Sequence, residues 1–264
     1  MPSPSSARMH DFVVVSNREI ADGIFSLVIS APKLACALKP GQFVNIAVPG
    51  DPSSLLRVPL SFYRADAEAG TVELWYAVVG DDTRRLSQMA PGATSNLLGP
   101  GGRGWSAPEG CRKALLVAGG IGVPPVLCLA ADLVTKGMSV DVCLGFGTAA
   151  KVVGVDEFKA LPVEELVLCT DDGSAGTHGF CTEPVAELLA QGGYDYVASC
   201  GPAVMMKKVA ELAANAGVFC EVSLERMMSC GFGACNTCNV ETVDGMKGAC
   251  MCGPVFDASK VVVF

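Results

Sequence analysis

The sequence predicts a multi-domain α+β chain: an antiparallel β-barrel, a parallel α/β domain, and a small C-terminal hairpin subdomain rich in cysteine. Three observations carry that prediction. Short apolar runs separated by Pro and Gly turns fill the first part of the chain. Apolar strands alternating with helix-length segments fill the middle. Five of the 13 cysteines then crowd the end, from Cys230 to Cys252.

Residues 1–10 read as a frayed arm and residues 11–108 as the barrel. The strand candidates are Phe12–Val15, Ile24–Ile29, Phe43–Val48 and Thr71–Val79, divided by Lys39-Pro-Gly41, Pro49-Gly50, Ala69-Gly70 and Pro91-Gly92. Few runs are long enough for two packed sheets, which favours a barrel over a sandwich. Leu56-Arg57-Val-Pro59-Leu60-Ser61-Phe-Tyr63 sets one cation and a hydroxyl in a mostly apolar stretch. Val78-Val-Gly80-Asp-Asp-Thr83-Arg-Arg85 opens a short helix with acidic and hydroxyl capping residues. An arginine suits a pyrophosphate or an exposed edge equally well.

The texture changes near Glu109, and residues 109–219 read as the α/β domain. Ala114–Ala118, Val140–Phe146, Leu166–Thr170 and Tyr194–Ser199 are strand-length apolar runs, and the segments up to Lys136, Glu183–Gln191 and Ala203–Ala216 are helical. Such alternation makes a parallel sheet covered on both sides. Gly119-Gly120-Ile-Gly122-Val-Pro-Pro125 closes the first strand. Its glycines allow close approach to a phosphate, and the helix start would offer free N–H groups and a positive dipole end. A tight strand-to-helix turn with no ligand is the competing explanation. Cys200-Gly201-Pro202-Ala-Val-Met205 lies at the carboxyl end of another strand, where ligands of open α/β sheets gather. Lys151 is the lone cation soon after the second strand, which leans towards NAD rather than its 2′-phosphorylated form.

In residues 220–264, Cys230-Gly-Phe-Gly-Ala-Cys235-Asn-Thr-Cys238 spaces three thiols by four and then two residues, and Cys250 and Cys252 follow. That is the plant-type spacing of a 2Fe-2S cluster. A zinc site is the alternative, although zinc more often shows two Cys-x-x-Cys knuckles. Residues 239–249 read as strand, Asp-Gly turn and strand, a hairpin that returns a fourth thiol to the first three. On a regular strand Cys250 and Cys252 would face one side and compete for that position.

Composition narrows the partners. The 264 residues are half apolar with net charge −8 and no Lys/Arg run, which argues against nucleic acid and anionic membranes. No apolar span approaches the roughly 18 residues of a membrane helix. An odd cysteine count and the lack of an apolar core in the first ten residues point to a reducing cytoplasm. His10 and His178 are the only histidines, so imidazole catalysis has little to draw on. A nicotinamide exchanges two electrons at once and a 2Fe-2S cluster one. A chain with both sites needs a carrier that manages both, and a flavin in the barrel would serve.

The barrel, then Gly-Gly-x-Gly-x-x-Pro, then Cys-Gly-Pro-x-x-Met resembles the ferredoxin–NADP reductase superfamily. Cys220-Glu-Val-Ser-Leu-Glu225-Arg-Met-Met-Ser-Cys230 through Gly253-Pro-Val-Phe-Asp257 resembles, more narrowly, the electron-transfer subunits of NAD-dependent dihydroorotate dehydrogenases. The resemblance implies FAD in the barrel, NAD on the α/β domain and one 2Fe-2S cluster. It also implies a heterotetramer, two copies of each chain, with an FMN-containing catalytic subunit that oxidises dihydroorotate in pyrimidine biosynthesis. Electrons would then pass through cluster and FAD to NAD. Carried over, the cluster ligands are Cys230, Cys235, Cys238 and Cys250, with Cys252 left free. The FAD segment is Arg57, Pro59, Leu60 and Ser61, with Gly80 and Thr83 near the pyrophosphate. Gly119, Gly120 and Gly122 belong at the NAD pyrophosphate, and Cys200, Gly201 and Pro202 near the nicotinamide. Two departures stand out: Arg57 sits one residue before the family's usual place, now Val58, and Cys252 replaces an aspartate. Two other functions compete: a reductase subunit of a bifurcating or sulfhydrogenase-type complex serving another flavoprotein or ferredoxin, and a non-catalytic redox sensor.

Overall fold

Seven antiparallel strands curl into the first layer of the computed structural model, which describes residues 7–50 and 55–264. In chain order they are β1 (Arg8–Ala21), β2 (Ile24–Ser30), β3 (Phe43–Ile46), β4 (Val58–Ser61), β5 (Arg64–Asp66), β6 (Thr71–Ala77) and β7 (Thr94–Gly101). Two short helices, α1 (Pro32–Ala35) and α2 (Asp81–Ser87), join them. The spatial order is β4-β3-β7-β1-β2-β6-β5. The long β1 pairs with β7 through its first half and with β2 through its second, and register shifts at Val14/Ser16 and Glu19/Ala21 bend it. Bulges of that kind curl a sheet, here into a half-barrel. Alternation along the strands sends Phe12, Val14, Leu27, Ile29, Val44, Ile46, Leu74 and Leu97 into one core. Residues 8–10, expected in an arm, start β1 by pairing with Gly99, Leu98 and Leu97; residues 1–6 lie outside the described residues.

The second sheet holds β8 (Lys113–Gly119), β9 (Ser139–Phe146), β10 (Glu165–Thr170), the two-residue β11 (Thr177–His178), β12 (Tyr196–Cys200) and β13 (Phe219–Ser223). These strands run parallel, in the order β11-β10-β9-β8-β12-β13. Ala114–Ala118 are fully buried because both faces are covered. Helices α3 (Val123–Thr135) and α4 (Val155–Lys159) cover one face; α5 (Thr182–Gln191) and α6 (Ala203–Asn215) cover the other. The order reverses between β8 and β12, which makes the crevice outside their carboxyl ends a topological switch point.

After β13 the chain leaves the sheet, forms the cysteine loop, and makes the hairpin β14 (Asn239–Thr242) and β15 (Gly245–Gly248), then the single helical turn α7 (Ala249–Cys252). It returns as β16 (Val255–Asp257), antiparallel to β13 at the sheet edge. Leu224 N donates to Pro254 O at 2.9 Å and closes the base of this excursion. Two strands of the expected hairpin subdomain are thus part of the α/β sheet. The hairpin turn is Val243-Asp244, since Thr242 pairs with Gly245, one residue earlier than the expected Asp-Gly.

Candidate functional site

Around the cysteines, left-handed backbone does the shaping. Gly231 and Gly233 take φ of 75° and 88°, and Asn236 takes 58°. The turns aim Phe232 N and Ala234 N at Cys230 Sγ, at 3.5 and 3.3 Å. Thr237 Oγ1 donates to Cys235 Sγ at 3.2 Å, and Cys250 N to Cys238 Sγ at 3.4 Å. The four thiols stand as two neighbouring pairs, Cys230 beside Cys235 and Cys250 beside Cys238. Among the described residues no three His, Cys, Asp or Glu side chains are gathered for a single metal ion. Two pairs fit a cluster of two irons, each taking two thiolates, better than one tetrahedral zinc. Hydrogen bonds from Thr237, with a further contribution from Cys230, lower the Cys235 thiol to about 6, so it favours the thiolate that binds metal. Burial, with Cys238 beside it, pushes the Cys250 thiol up to about 12; a bound cation would reverse that.

A helical turn stands where a strand was expected, and it separates the two candidates for the fourth position. Cys250 and Cys252 share α7, and residues two apart on a helical turn point in nearly opposite directions. Cys250 is buried against Cys238, whereas Cys252 turns away and is half-buried.

The loop leans on the barrel. β3 sends Val44 and Ile46 into the barrel core but turns Phe43 outward, into the cluster of Met228, Cys238, Val240 and Cys250. Asn45 shares that outward face by the two-residue repeat of a strand. Across the ladder Asn45 pairs with Pro59 and Phe43 with Ser61, and directly opposed residues share a face. Pro59 and Ser61 therefore lie on the face that meets the cysteine loop. A Cβ on Gly231 would come within 2.4 Å of Asn45 Nδ2, so loop and strand are in contact.

Other expected FAD residues are differently employed. Leu60 pairs with Val44 and turns inward to the barrel core. Arg57 spends its guanidinium on the sheet: Nη2 donates to Asn96 Oδ1 at 2.6 Å, and Nη1 to Asn96 O at 3.2 Å and Asn45 O at 3.4 Å. Thr83 is buried, and its hydroxyl caps α2, accepting from Val79 N and Gly80 N and donating to Gly80 O. Gly80 is extended, with open space where a Cβ would be.

At the switch point the two expected segments meet. A Cβ on Gly122 would fall 2.2 Å from Cys200 O, so that glycine is required for backbone contact between the turns, and a Cβ on Gly119 would fall 2.7 Å from the side chains of Pro202 and Met205. Gly120 has φ of 52° and open space beside it, and Gly201 packs on Gly119. The start of α3 offers fewer donors than the motif implies. Pro124 and Pro125 have no N–H, and Val123 N is bonded to Gly120 O. Burial of its sulfur pushes the Cys200 thiol up to about 12, so it stays neutral. Two cavities, of about 410 Å³ beside β1 and β6 and about 330 Å³ between α6 and the C-terminal tail, include none of these residues.

Sequence reasoning missed Asn45 and Glu221. Glu221 is fully buried on β13, where its carboxylate accepts from Ser106 N, Ser106 Oγ and Tyr196 OH and pairs with Arg103 at 3.1 Å. Burial and this carboxylate hold the Tyr196 phenol well above its ordinary value, so it remains a donor. An acidic residue inside the apolar run Val218–Leu224 was the available signal. Arg226 donates to Glu225 O and Val263 O, and the Glu225 carboxylate adds to the upward push on the Cys200 thiol.

A family model for the iron-sulfur cluster binding domain of dihydroorotate dehydrogenase B matches residues 225–262. Over 263 residues the chain is 39% identical to the dihydroorotate dehydrogenase B (NAD(+)) electron transfer subunit of Geobacillus sp. strain WCH70, covering 97% of this chain and 99% of the relative. The same subunit from Geobacillus thermodenitrificans is 41% identical over 258 residues, covering 95% and 97%. Among solved structures, an NADH-dependent reduced ferredoxin-NADP oxidoreductase, studied for flavin-based electron bifurcation, superposes with a TM-score of 0.86 at 32% identity, covering 95% of this chain and 89% of that one. A ferredoxin reductase of carbazole 1,9a-dioxygenase shares the fold, with a TM-score of 0.67 at 22% identity over 80% of this chain and 67% of that one. No helix among the described residues is long and apolar enough to cross a membrane. Identity of this level, running the length of both chains, means that the protein belongs to the family of dihydroorotate dehydrogenase B (NAD(+)) electron transfer subunits.

Proposed function

We propose that the chain holds FAD along the outer face of β3–β4, NAD at the β8/β12 switch point, and a 2Fe-2S cluster on Cys230, Cys235, Cys238 and Cys250. In that arrangement it links an FMN-containing dihydroorotate dehydrogenase subunit to NAD, in a heterotetramer with two copies of each chain. When bound, these groups supply the one-electron and two-electron chemistry. The chain's own residues do the rest. The loop's N–H groups and the Thr237 hydroxyl point at sulfur and stabilise its negative charge. Pro59 and Ser61 line the flavin's side of the sheet, and Gly119 and Gly122 bring two strand ends within reach of one dinucleotide. One observation carries this reading: the cysteine loop packs on the same strand face that bears the flavin segment. Thirteen unbridged cysteines fit a reducing cytoplasm.

The partner's docking face would surround the loop. Met227 and Phe232 are 77% and 51% exposed there, whereas Met228 between them in the chain is buried at 6% and belongs to the core. The purified chain should contain iron, sulfide and flavin and reduce dyes with NADH; lack of any of these would sink the assignment. Phe232→Glu should prevent co-purification with the catalytic subunit while leaving NADH-driven dye reduction unchanged. Retained co-purification would move the docking face elsewhere.

A further inference from the structure

Asn45 is a polar residue in an apolar place. It is only 2% exposed, and its Nδ2 has no hydrogen-bond partner among the described residues. A buried amide donor left unpaired costs roughly 1–3 kcal/mol, so such groups ordinarily have a reason. The core on this side of β3 is apolar and includes Phe43 and Met228. Its backbone already serves the ladder to Pro59 and accepts from Arg57, so the side chain is not needed to hold the sheet.

What the side chain does reach is the cysteine loop. Gly231, the residue after Cys230, lies so close that a Cβ there would sit 2.4 Å from Asn45 Nδ2 and 2.9 Å from its Cγ. The other donors of this region, Phe232 N, Ala234 N and Thr237 Oγ1, all point at thiol sulfur. We infer that Asn45 completes this set from the barrel side: its Nδ2–H donates to the sulfur shell of the 2Fe-2S cluster, at Cys230 or a bridging sulfide. It is a positioning and potential-setting residue, and the inference rests on the cluster assignment made above. Donors to sulfur stabilise the more negative, reduced state. Asn45 thus raises the cluster's potential, and it does so from the strand that pairs with the flavin segment.

The test uses the full chain with its cluster and flavin. Asn45→Leu removes the donor at similar volume, and Asn45→Asp removes it at the same shape. Iron, sulfide and flavin contents are measured first, then the cluster is titrated by EPR against mediator dyes. Asn45→Leu should lower the cluster potential by about tenfold in the one-electron equilibrium with a dye, equal to about 59 mV, while the flavin potential stays in place. Pulsed EPR of the reduced protein grown with 15N-asparagine should show couplings from Asn236 and Asn239 of the loop and one more from Asn45, and only that one should disappear in whichever of the two variants loads a cluster. An unchanged potential, or a set of couplings that survives the substitution whole, would overturn the role of Asn45. A wild-type chain without iron and sulfide would instead overturn the cluster assignment itself.

Discussion

Cys250 and Cys252 show how little separates a proposed ligand from a bystander. Both are thiols in the same four-residue helical turn, and only the rotation of that turn directs Cys250 at Cys238 and Cys252 away. Cys250→Ser should abolish the visible absorption of the cluster and its iron, since one iron loses half its protein ligands. Cys252→Ser should leave both unchanged. A variant Cys250→Ser chain with full iron content would show that Cys252 can take over. The three earlier thiols were legible because four-and-two spacing is itself a motif. The helical turn was not, because four residues are too few to display a period. Asn45 was invisible for another reason: its partner lies at the far end of the chain, and nothing in Phe43–Ile46 marks which face will be covered.

At the scale of elements, buried parallel strands announced themselves and the edges of the barrel did not. Ala114–Ala118 reads as a strand because both of its faces are buried and every residue is apolar. β7, Thr94–Gly101, contains Asn96, Gly99, Pro100 and Gly101, which read as loop; the pairing with β1 on one side and β3 on the other makes it a strand. The turn after β8 was legible as a motif, but the sequence could not tell which glycine served a ligand and which served packing. Gly122 serves packing, facing Cys200 O across the switch point. Backbone cannot yield as a flexible side chain would. Gly122→Ala should part the two turns, raising the KM for NADH at least about tenfold, worth about 1.4 kcal/mol, with flavin content unchanged. An unaltered KM would mean that the dinucleotide does not depend on this junction.

Across the whole molecule, one short stretch between the sheets ties the parts together. Arg103 and Ser106 reach Glu221 on β13, Arg103 N donates to Gly253 O, and Trp105 donates through N to Pro40 O and through Nε1 to Pro125 O. Barrel, α/β sheet and the end of the cysteine excursion thus meet around a buried carboxylate. Glu221→Ala would strand the Tyr196 hydroxyl and Ser106 N in the interior. It should cost about 3 kcal/mol, read from the urea midpoint at unchanged m-value. A loss below about 0.5 kcal/mol, the range of ordinary surface substitutions, would show that the linker holds without it.

The closed base of the cysteine excursion has a consequence for how such a protein is assembled. Backbone pairing joins the chain where it leaves and re-enters the sheet, at Leu224–Pro254 and along β13–β16. The stem should therefore keep its fold when the iron is stripped, and far-UV circular dichroism of the chelator-treated chain checks this. A chain emptied in this way should regain its visible absorption on incubation with iron and sulfide, like a socket taking a new bulb; a chain that unfolds on losing iron would show that the stem needs what its tip holds.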